Sequence, residues 1–237
     1  MLFQNRVVLI TGASGGLGGQ VVRAFLQHGA RIVAVGSPRS RPEDLQQQLG
    51  VKSDRLEWEL ADVTKEESVQ GLVSRVIAKT DRIDVLLQLA GGYAGGEHVA
   101  HTTLASWNRM IDLNLKSAFL CCRAVLPQML TQNYGRIVCI SSRGAVEVSA
   151  GAAAYAVSKA AVLTLVQTIA EESKGTGITA NAVVPGMIDT PANRHAMPDA
   201  DFSKWVKPES IAELLLYLTS EQAGAVTGAA VPIYGTA

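Results

Sequence analysis

Short, uninterrupted apolar runs alternate along this chain with longer stretches of helical periodicity. Val7-Val8-Leu9-Ile10 and Ile137-Val138-Cys139-Ile140 contain no polar break, the pattern of strands covered on both faces. Such runs predict strands at Val7–Ile10, Arg31–Val35, Arg55–Leu60, Ile83–Leu89, Gly135–Ile140, Ile178–Val184 and Ala230–Ile233. The segments between them predict helices at Gly18–His28, Pro42–Leu49, Lys65–Lys79, Leu104–Leu130, Ala152–Lys174 and Pro208–Thr219. Strand and helix in alternation predict an α/β fold, a doubly wound parallel sheet with helices on both faces. The periodicity fails around Pro191–Trp205, where Pro191 and Pro198 stand among mixed polar residues. Residues 190–206 are therefore expected to form a loop or short helical lid. No repeat, low-complexity tract or Pro/Ser-rich linker divides the chain, so residues 1–237 are expected to make one domain.

Composition narrows the function classes. Of 237 residues, 48% are hydrophobic and 18% charged, enough for a sizeable core. Lys plus Arg and Asp plus Glu both number 21, which gives no electrostatic reason to expect nucleic acid or an anionic membrane as partner. The apolar stretch from Ala150 is broken by Lys159, so no membrane span is expected. Met1 to Arg6 lead straight into an apolar strand without a basic region ahead of an apolar one, and a cytoplasmic location is the expectation. Cys121, Cys122 and Cys139 have no disulfide-framework or metal spacing and read as packing residues. His28, His98, His101 and His195 have no metal spacing either, and no metal is expected. His195 falls in the lid segment and is a candidate for substrate contact, with a solvated position as the alternative.

The first strand runs into Thr11-Gly12-Ala13-Ser14-Gly15-Gly16-Leu17-Gly18. Glycines at 12, 16 and 18 allow a tight turn whose N–H groups approach a pyrophosphate at a helix N-terminus. The context is right: an apolar strand before, an amphipathic helix after and a second strand at Arg31–Val35. A second motif is Tyr155-Ala156-Val157-Ser158-Lys159. Residues four apart share one helix face, so a phenol and an ammonium point the same way. A cation beside a phenol favours the phenolate and makes it a usable acid–base group near neutral pH.

The TGxxxGxG turn, spread from Thr11 to Gly18, resembles the short-chain dehydrogenase/reductase family, and further landmarks follow in order over nearly the whole chain. Asp62-Val63-Thr64 resembles the family's adenine-contacting segment. Ala90-Gly91 resembles the end of its NNAG motif, although Gln88 and Leu89 stand where two Asn are usual. That departure puts one strand-stabilising hydrogen-bond role in question. Ser142, thirteen residues before Tyr155, matches the family's substrate-binding serine, with Ser141 as the competing candidate. Asn114 matches the helix asparagine that holds a water in a proton relay with the lysine. Pro185-Gly186 and Thr190 match residues beside the nicotinamide.

The resemblance implies a Rossmann-type sheet and an NAD(P)(H)-dependent oxidoreductase that interconverts a carbonyl and an alcohol. Its catalytic set would be Asn114, Ser142, Tyr155 and Lys159. Cofactor contacts would come from Thr11, Gly12, Ser14, Gly15, Gly16, Leu17 and Gly18 in the turn, and from Gly36, Ser37 and Arg39 after the second strand. Asp62, Val63, Ala90, Gly91, Tyr155, Lys159, Pro185, Gly186, Ile188 and Thr190 would complete them. NADP(H) is expected over NAD(H). Gly36 stands where NAD-preferring relatives place a carboxylate, and Ser37, Arg39 or Arg41 can meet a 2′-phosphate. Gly15 cuts the other way, since many NADP-preferring relatives carry a base there. A small-molecule substrate and a homo-oligomer, dimer or tetramer, are implied as well.

Two segments narrow the resemblance. Residues 89–96, with Ala90-Gly91-Gly92-Tyr93-Ala94-Gly95-Gly96, and the stretch from Asp189 to Trp205 are similar to the dihydropteridine reductase subgroup. That subgroup lacks the serine this chain keeps as Ser142, which suits carbonyl polarisation. A general carbonyl reductase is the expectation, with pterin reduction or 3-oxoacyl carrier-protein reduction as the alternatives. Tyr93 and Met197 would wall a flat pocket, Phe202 and Trp205 would cover it or merely dock the lid, and Arg194 would offer a cation. A non-enzymatic dinucleotide sensor is disfavoured because both Tyr155 and Lys159 are present.

Overall fold

The computed structural model describes residues 2–41, 43, 49, 50 and 53–236. Its centre is a seven-stranded parallel sheet: β1 (Val7–Thr11), β2 (Arg31–Gly36), β3 (Leu56–Leu60), β4 (Val85–Gln88), β5 (Gly135–Ile140), β6 (Ile178–Pro185) and β7 (Ala230–Ile233). Spatial order is β3-β2-β1-β4-β5-β6-β7, so the chain reverses direction across the sheet between β1 and β4. Loops after the C-terminal ends of strands flanking such a reversal form a crevice suited to a ligand. Val7 pairs in register with Arg31, Val8 with Val85 and Leu86 with Ile137.

Helices are α1 (Gly18–Gln27), α2 (Glu66–Thr80), α3 (Leu104–Met110), α4 (Ser117–Gln132), α5 (Ala153–Glu172), α6 (Pro191–Ala196) and α7 (Pro208–Thr219). The expected helix Pro42–Leu49 lies outside the described residues apart from Glu43 and Leu49. The sheet divides the core in two. Leu9, Val33, Leu86, Ile137 and Ala180 face one apolar layer with Leu72, Val125 and Val166. Val8, Ile10, Ile32, Leu87 and Val183 face the other with Val22, Phe25, Ile211 and Leu215. Successive strand residues point to opposite faces, and both faces are covered, which is why these strands read as unbroken apolar runs.

Three expectations are refined. The long helix expected over Leu104–Leu130 contains a π-helical segment at Ile111–Lys116 between α3 and α4. The lid segment contains α6 and a 3₁₀ turn at Phe202–Lys204. Helix α5 is long and apolar enough to cross a membrane by length and composition. It packs along β6, however, and carries Lys159 and Ser158 on its buried side. Cys121, Cys122 and Cys139 are buried thiols, as packing residues should be. Burial pushes the Cys121 thiol up to about 12. Among the described residues no cluster of His, Cys, Asp or Glu could hold a metal ion.

Candidate active site

All the predicted site residues follow the C-terminal ends of strands or lie on the helices beside them. After β1, Gly12 takes φ +66, a region that L side chains rarely adopt. A Cβ on Gly18 would stand 2.5 Å from the carbonyl oxygens of both Gly12 and Ala13, so only glycine lets the turn close onto α1. Gly16 lies so near the segment after β6 that a Cβ there would meet the Thr190 side chain at 2.8 Å. No side chain caps α1 and no acidic residue occupies its first turn. Its leading N–H groups and the positive end of its dipole are thus available to an anion. A cavity of about 740 Å³ opens beside the turn, lined by Gly15, Gly16, Arg23, Pro191, Arg194 and Lys207 among others. These features suit a dinucleotide pyrophosphate.

Next to the turn, the Gln88 side chain accepts from Thr11 Oγ1 at 2.7 Å and donates to Ser117 Oγ at 3.2 Å. Thr11 Oγ1 in turn accepts from the Ala90 N–H at 3.2 Å. Gln88 is 2% exposed and ties β4 to β1 and α4. The departure from NNAG therefore leaves no gap: the longer amide fills the strand-stabilising role. Sequence reasoning missed this, although a Gln ending an apolar strand was the signal. Asp62 accepts from the Thr64 N–H at 3.0 Å and its Oγ1 at 2.6 Å, and the Thr64 hydroxyl holds the carboxyl below its ordinary range. Val63 is partly buried on the core.

At the end of β2, Gly36 is closely approached by Ser40, whose Cβ would lie 2.8 Å from a Cβ on Gly36. Ser40 Oγ is 3.1 Å from both Ser14 Oγ and Ser37 Oγ. Three hydroxyls thus join the phosphate turn to the turn after β2. Ser40 was not singled out from the sequence, where nothing separates it from other loop serines. Arg39 is exposed on the same turn.

The acid–base candidates follow β5 or lie on α5. Tyr155 and Lys159 lie on α5, and Ser142 Oγ and the Tyr155 ring both border Gly144, each 3.5 Å from where its Cβ would stand. Ser142 also caps the 3₁₀ turn Arg143–Ala145, its Oγ accepting from the Gly144 N–H at 3.1 Å. Ser141 is 2% exposed and donates to the Lys159 carbonyl at 2.8 Å. Its hydroxyl is thus turned to the backbone of α5 and away from the Tyr155 side of the turn. Lys159 Nζ donates to the Ile140 carbonyl at 2.8 Å.

Asn114 sits in the π-helical segment, a distortion that often marks functional sites. Its amide accepts from the Gly92 N–H at 2.9 Å and donates to the Gly92 carbonyl and Ser158 Oγ at 3.1 and 3.0 Å. Gly91 leaves the space between Asn114 and Lys159 open: a Cβ there would lie 2.8 Å from Asn114 Oδ1 and 3.0 Å from Lys159 Nζ.

Burial dominates the electrostatics of this site. It pushes the Lys159 ammonium down to about 8. It also raises the Tyr155 phenol, opposed by the Ser142 hydrogen bond and aided by nearby Tyr93. The expected depression of Tyr155 by the lysine is not what the polypeptide alone provides. Desolvation outweighs other influences, and a positive charge above the phenol is needed to reverse it. The Tyr93 ring meets Tyr155 edge-on, centroids 4.9 Å apart, and is 66% exposed on its outer side.

After β6, a Cβ on Gly186 would lie 2.8 Å from the Tyr234 carbonyl oxygen. Pro185 ends the strand and Ile188 bridges to Val206. Thr190 caps α6, accepting from the Asn193 N–H at 3.2 Å. Beyond Thr190, Arg194 is paired with Asp189 at 2.5 Å, and Lys207 holds the same carboxylate at 2.5 Å. Arg194 also covers the Phe202 ring, which packs against Trp205. Arg194, expected to offer a cation, is thus paired within its own segment, and Phe202 packs on Trp205. His195 is exposed, and Met197 half-buried.

Fold and site together define a dinucleotide-binding oxidoreductase. Residues 6–201 match the family model for short chain dehydrogenases. A 3-oxoacyl-[acyl-carrier-protein] reductase of Thermotoga maritima is 31% identical, covering 99% of this chain and 98% of its own. A (2S)-[(R)-hydroxy(phenyl)methyl]succinyl-CoA dehydrogenase subunit of Thauera aromatica is 33% identical over 99% of this chain and 97% of its own. The solved structure of a levodione reductase superposes with a TM-score of 0.91 at 27% identity, covering 99% of this chain and 97% of its own. The chain belongs to the short-chain dehydrogenase/reductase family, whose cofactors are NAD(H) and NADP(H), and is an oxidoreductase of carbonyl and alcohol groups.

Proposed function

We propose that this enzyme reduces a ketone to a secondary alcohol, and runs the reverse reaction, with Tyr155 as the acid–base group. The convergence of Ser142, Tyr155, Lys159 and Asn114 carries the reading. Bound NAD(P)H supplies the hydride. Ser142 donates a hydrogen bond to the substrate oxygen and orients it toward Tyr155, whose phenol gives up its proton as negative charge develops there. Lys159 holds the cofactor ribose and keeps positive charge beside the phenol, and Asn114 fixes the π-helical segment at the inner end of the relay.

NADP(H) is the preferred cofactor. The Ser14–Ser40–Ser37 hydroxyls and Arg39 offer donors for a 2′-phosphate, and Gly36 places no carboxylate against it. Ketones on acyl thioesters suit the names of the relatives, and the edge-on Tyr93 favours a flat ring, pterin-like or aromatic, as the second class. Residues 190–206 act as substrate lid. The enzyme is a cytoplasmic, single-domain homo-oligomer, with Leu104, Phe119 and Val157 as exposed apolar residues of the long helices available to a second copy.

Replacing Tyr155 by Phe tests the reading. Turnover of a ketone panel with NADPH should fall by a factor of 10² or more, the usual scale of general acid–base catalysis, while NADPH still binds. Undiminished turnover in Tyr155→Phe overturns the assignment, and better kcat/KM with NADH than with NADPH overturns the cofactor preference.

A further inference from the structure

Asn114 reaches Tyr155 along two paths, and the second runs through a residue that the proposed reaction does not use. On the first path Asn114 Nδ2 donates to Ser158 Oγ at 3.0 Å, and Ser158 Oγ donates to the Tyr155 carbonyl at 2.7 Å. That path fixes the backbone of Tyr155 and leaves its side chain unheld. On the second path the Asn114 amide accepts from the Gly92 N–H at 2.9 Å and donates to the Gly92 carbonyl at 3.1 Å. Tyr93 comes next in the chain, and its ring meets the Tyr155 ring edge-on, centroids 4.9 Å apart. The circuit from Asn114 through Gly92, Tyr93, Tyr155 and Ser158 therefore closes at the ring that carries the reactive phenol.

Tyr93 is also held from the side away from Asn114. A Cβ on Gly95 would stand 2.5 Å from the Tyr93 hydroxyl and 2.8 Å from the Gly151 carbonyl oxygen, so the loop fits round this phenol only with glycine there. The Gly96 N–H donates to the same Gly151 carbonyl at 2.8 Å. Gly96 takes φ +112 and Gly151 φ +79, conformations that glycine adopts without penalty. The loop after β4 is thus pinned to Asn114 just before Tyr93 and to the segment ahead of α5 just after it. Tyr93 is 66% exposed, so it buries too little area for core packing to account for so constrained a setting. Its printed ring partner is Tyr155, and edge-on aromatic pairs are favourable beyond the area they bury. Orientation matters at that partner, since a misplacement of about 1 Å can cost on the order of 10² in rate.

We infer that Tyr93 is a positioning residue: its ring holds the Tyr155 ring in the orientation that presents the phenol to the substrate oxygen, and keeps water from that side of it. This rests on the acid–base role proposed for Tyr155 and adds a residue to it. Ser142 from the turn after β5 and Tyr93 from the loop after β4 both act on the Tyr155 titration, and Lys159 stands one turn further along α5. Burial is the main influence that raises this phenol. Taking the Tyr93 ring away admits water and brings the titration down.

The test compares Tyr93→Leu with Tyr93→Phe in the whole protein with NADPH. The substrate is ethyl 3-oxobutanoate, which has no ring to stack on residue 93. In Tyr93→Leu, kcat should fall roughly tenfold, with KM and NADPH affinity, followed by nicotinamide fluorescence, little changed. Tyr93→Phe keeps the ring and should keep kcat. The chain has five tyrosines, so selective 13Cζ labelling gives few signals, and Tyr155→Phe identifies the one that belongs to Tyr155. Its titration should move to lower pH in Tyr93→Leu and move less in Tyr93→Phe. Undiminished kcat in Tyr93→Leu overturns the inference. An equal loss in Tyr93→Phe assigns the effect to the hydroxyl and overturns it too. A loss carried by KM or by NADPH affinity, the mark of a pocket wall or a loosened loop, does the same. If the ketone is not turned over by the unaltered enzyme, the carbonyl reading is at fault and the ring contact is read from the titration alone. A shift in Tyr93→Leu that exceeds that in Tyr93→Phe then supports the positioning role, and equal or absent shifts overturn it.

Discussion

Lys159 is a cation set almost wholly out of water, 5% exposed and tied to the Ile140 carbonyl. Its ammonium titrates at about 8 rather than at the ordinary lysine value of 10.5. The folded chain therefore binds fewer protons than the unfolded chain between those two values, and stability rises with pH across that window. Below about pH 8 the full burial cost stands, on the order of 3 kcal/mol from the shift. The Ile140 hydrogen bond returns about 1 kcal/mol of it. Lys159→Met should thus be more stable than the unaltered protein at pH 7, by about 2 kcal/mol, and should lose activity. The advantage should shrink toward pH 10, and denaturant unfolding at both pH values reads it. A variant less stable at pH 7 would show that Lys159 is retained for folding. The Tyr155–Lys159 pair was legible in the sequence because one helix fixes its spacing. Gln88, Ser40 and Arg143 were not, because their partners Thr11, Ser14 and Tyr234 are distant in sequence and only the fold brings them near.

At the scale of elements, the segment after β6 is anchored by ion pairs, backbone hydrogen bonds and a ring contact. Asp189 is its hub, with a side chain 6% exposed that takes both Arg194 and Lys207. These partners hold its carboxyl well below the usual carboxylate range, chiefly through the Arg194 hydrogen bond. The stabilising effect is lost only as pH falls through that depressed value, so the anchoring persists across the pH range of ordinary assays. Asp189→Asn removes the charge and keeps the shape. Faster amide exchange confined to residues 190–206 and a several-fold rise in substrate KM are expected, with little change in the melting temperature. Unaltered exchange would mean that Phe202 on Trp205 suffices to seat the segment. The sequence marked this region by its broken periodicity, yet α6 is too short for a period to register, and the pairing of Arg194 was invisible. The π-helical segment at Ile111–Lys116 escaped for a related reason, since six residues are too few for a changed period to register.

Across the whole molecule, chemistry and rigidity occupy opposite ends of the sheet. The cofactor turn, Ser142 and Gly186 follow the C-terminal ends of β1, β5 and β6. At the other end Asp84 is fully buried and accepts from Arg6 at 3.0 Å, from Arg82 at 2.5 Å and from the Val7 N–H at 2.8 Å. Arg6 continues to Glu221, and Arg6 and Arg136 both lie against the Tyr134 ring. This network joins the starts of β1, β4 and β5 to the turn after α7. The alternating pattern made the sheet legible because each strand carries its own apolar signal. It could not reveal a cluster assembled from positions 78 and 215 residues apart. Asp84→Ala leaves two guanidinium groups and a strand N–H without their carboxylate, a change that costs about 3 kcal/mol or more. Because the network lies at the far end from Tyr155, the surviving folded protein should keep its kcat while the denaturant midpoint drops. A fall in kcat at temperatures where Asp84→Ala is fully folded would show that the two ends are coupled through β4, whose short span connects Asp84 to Gln88.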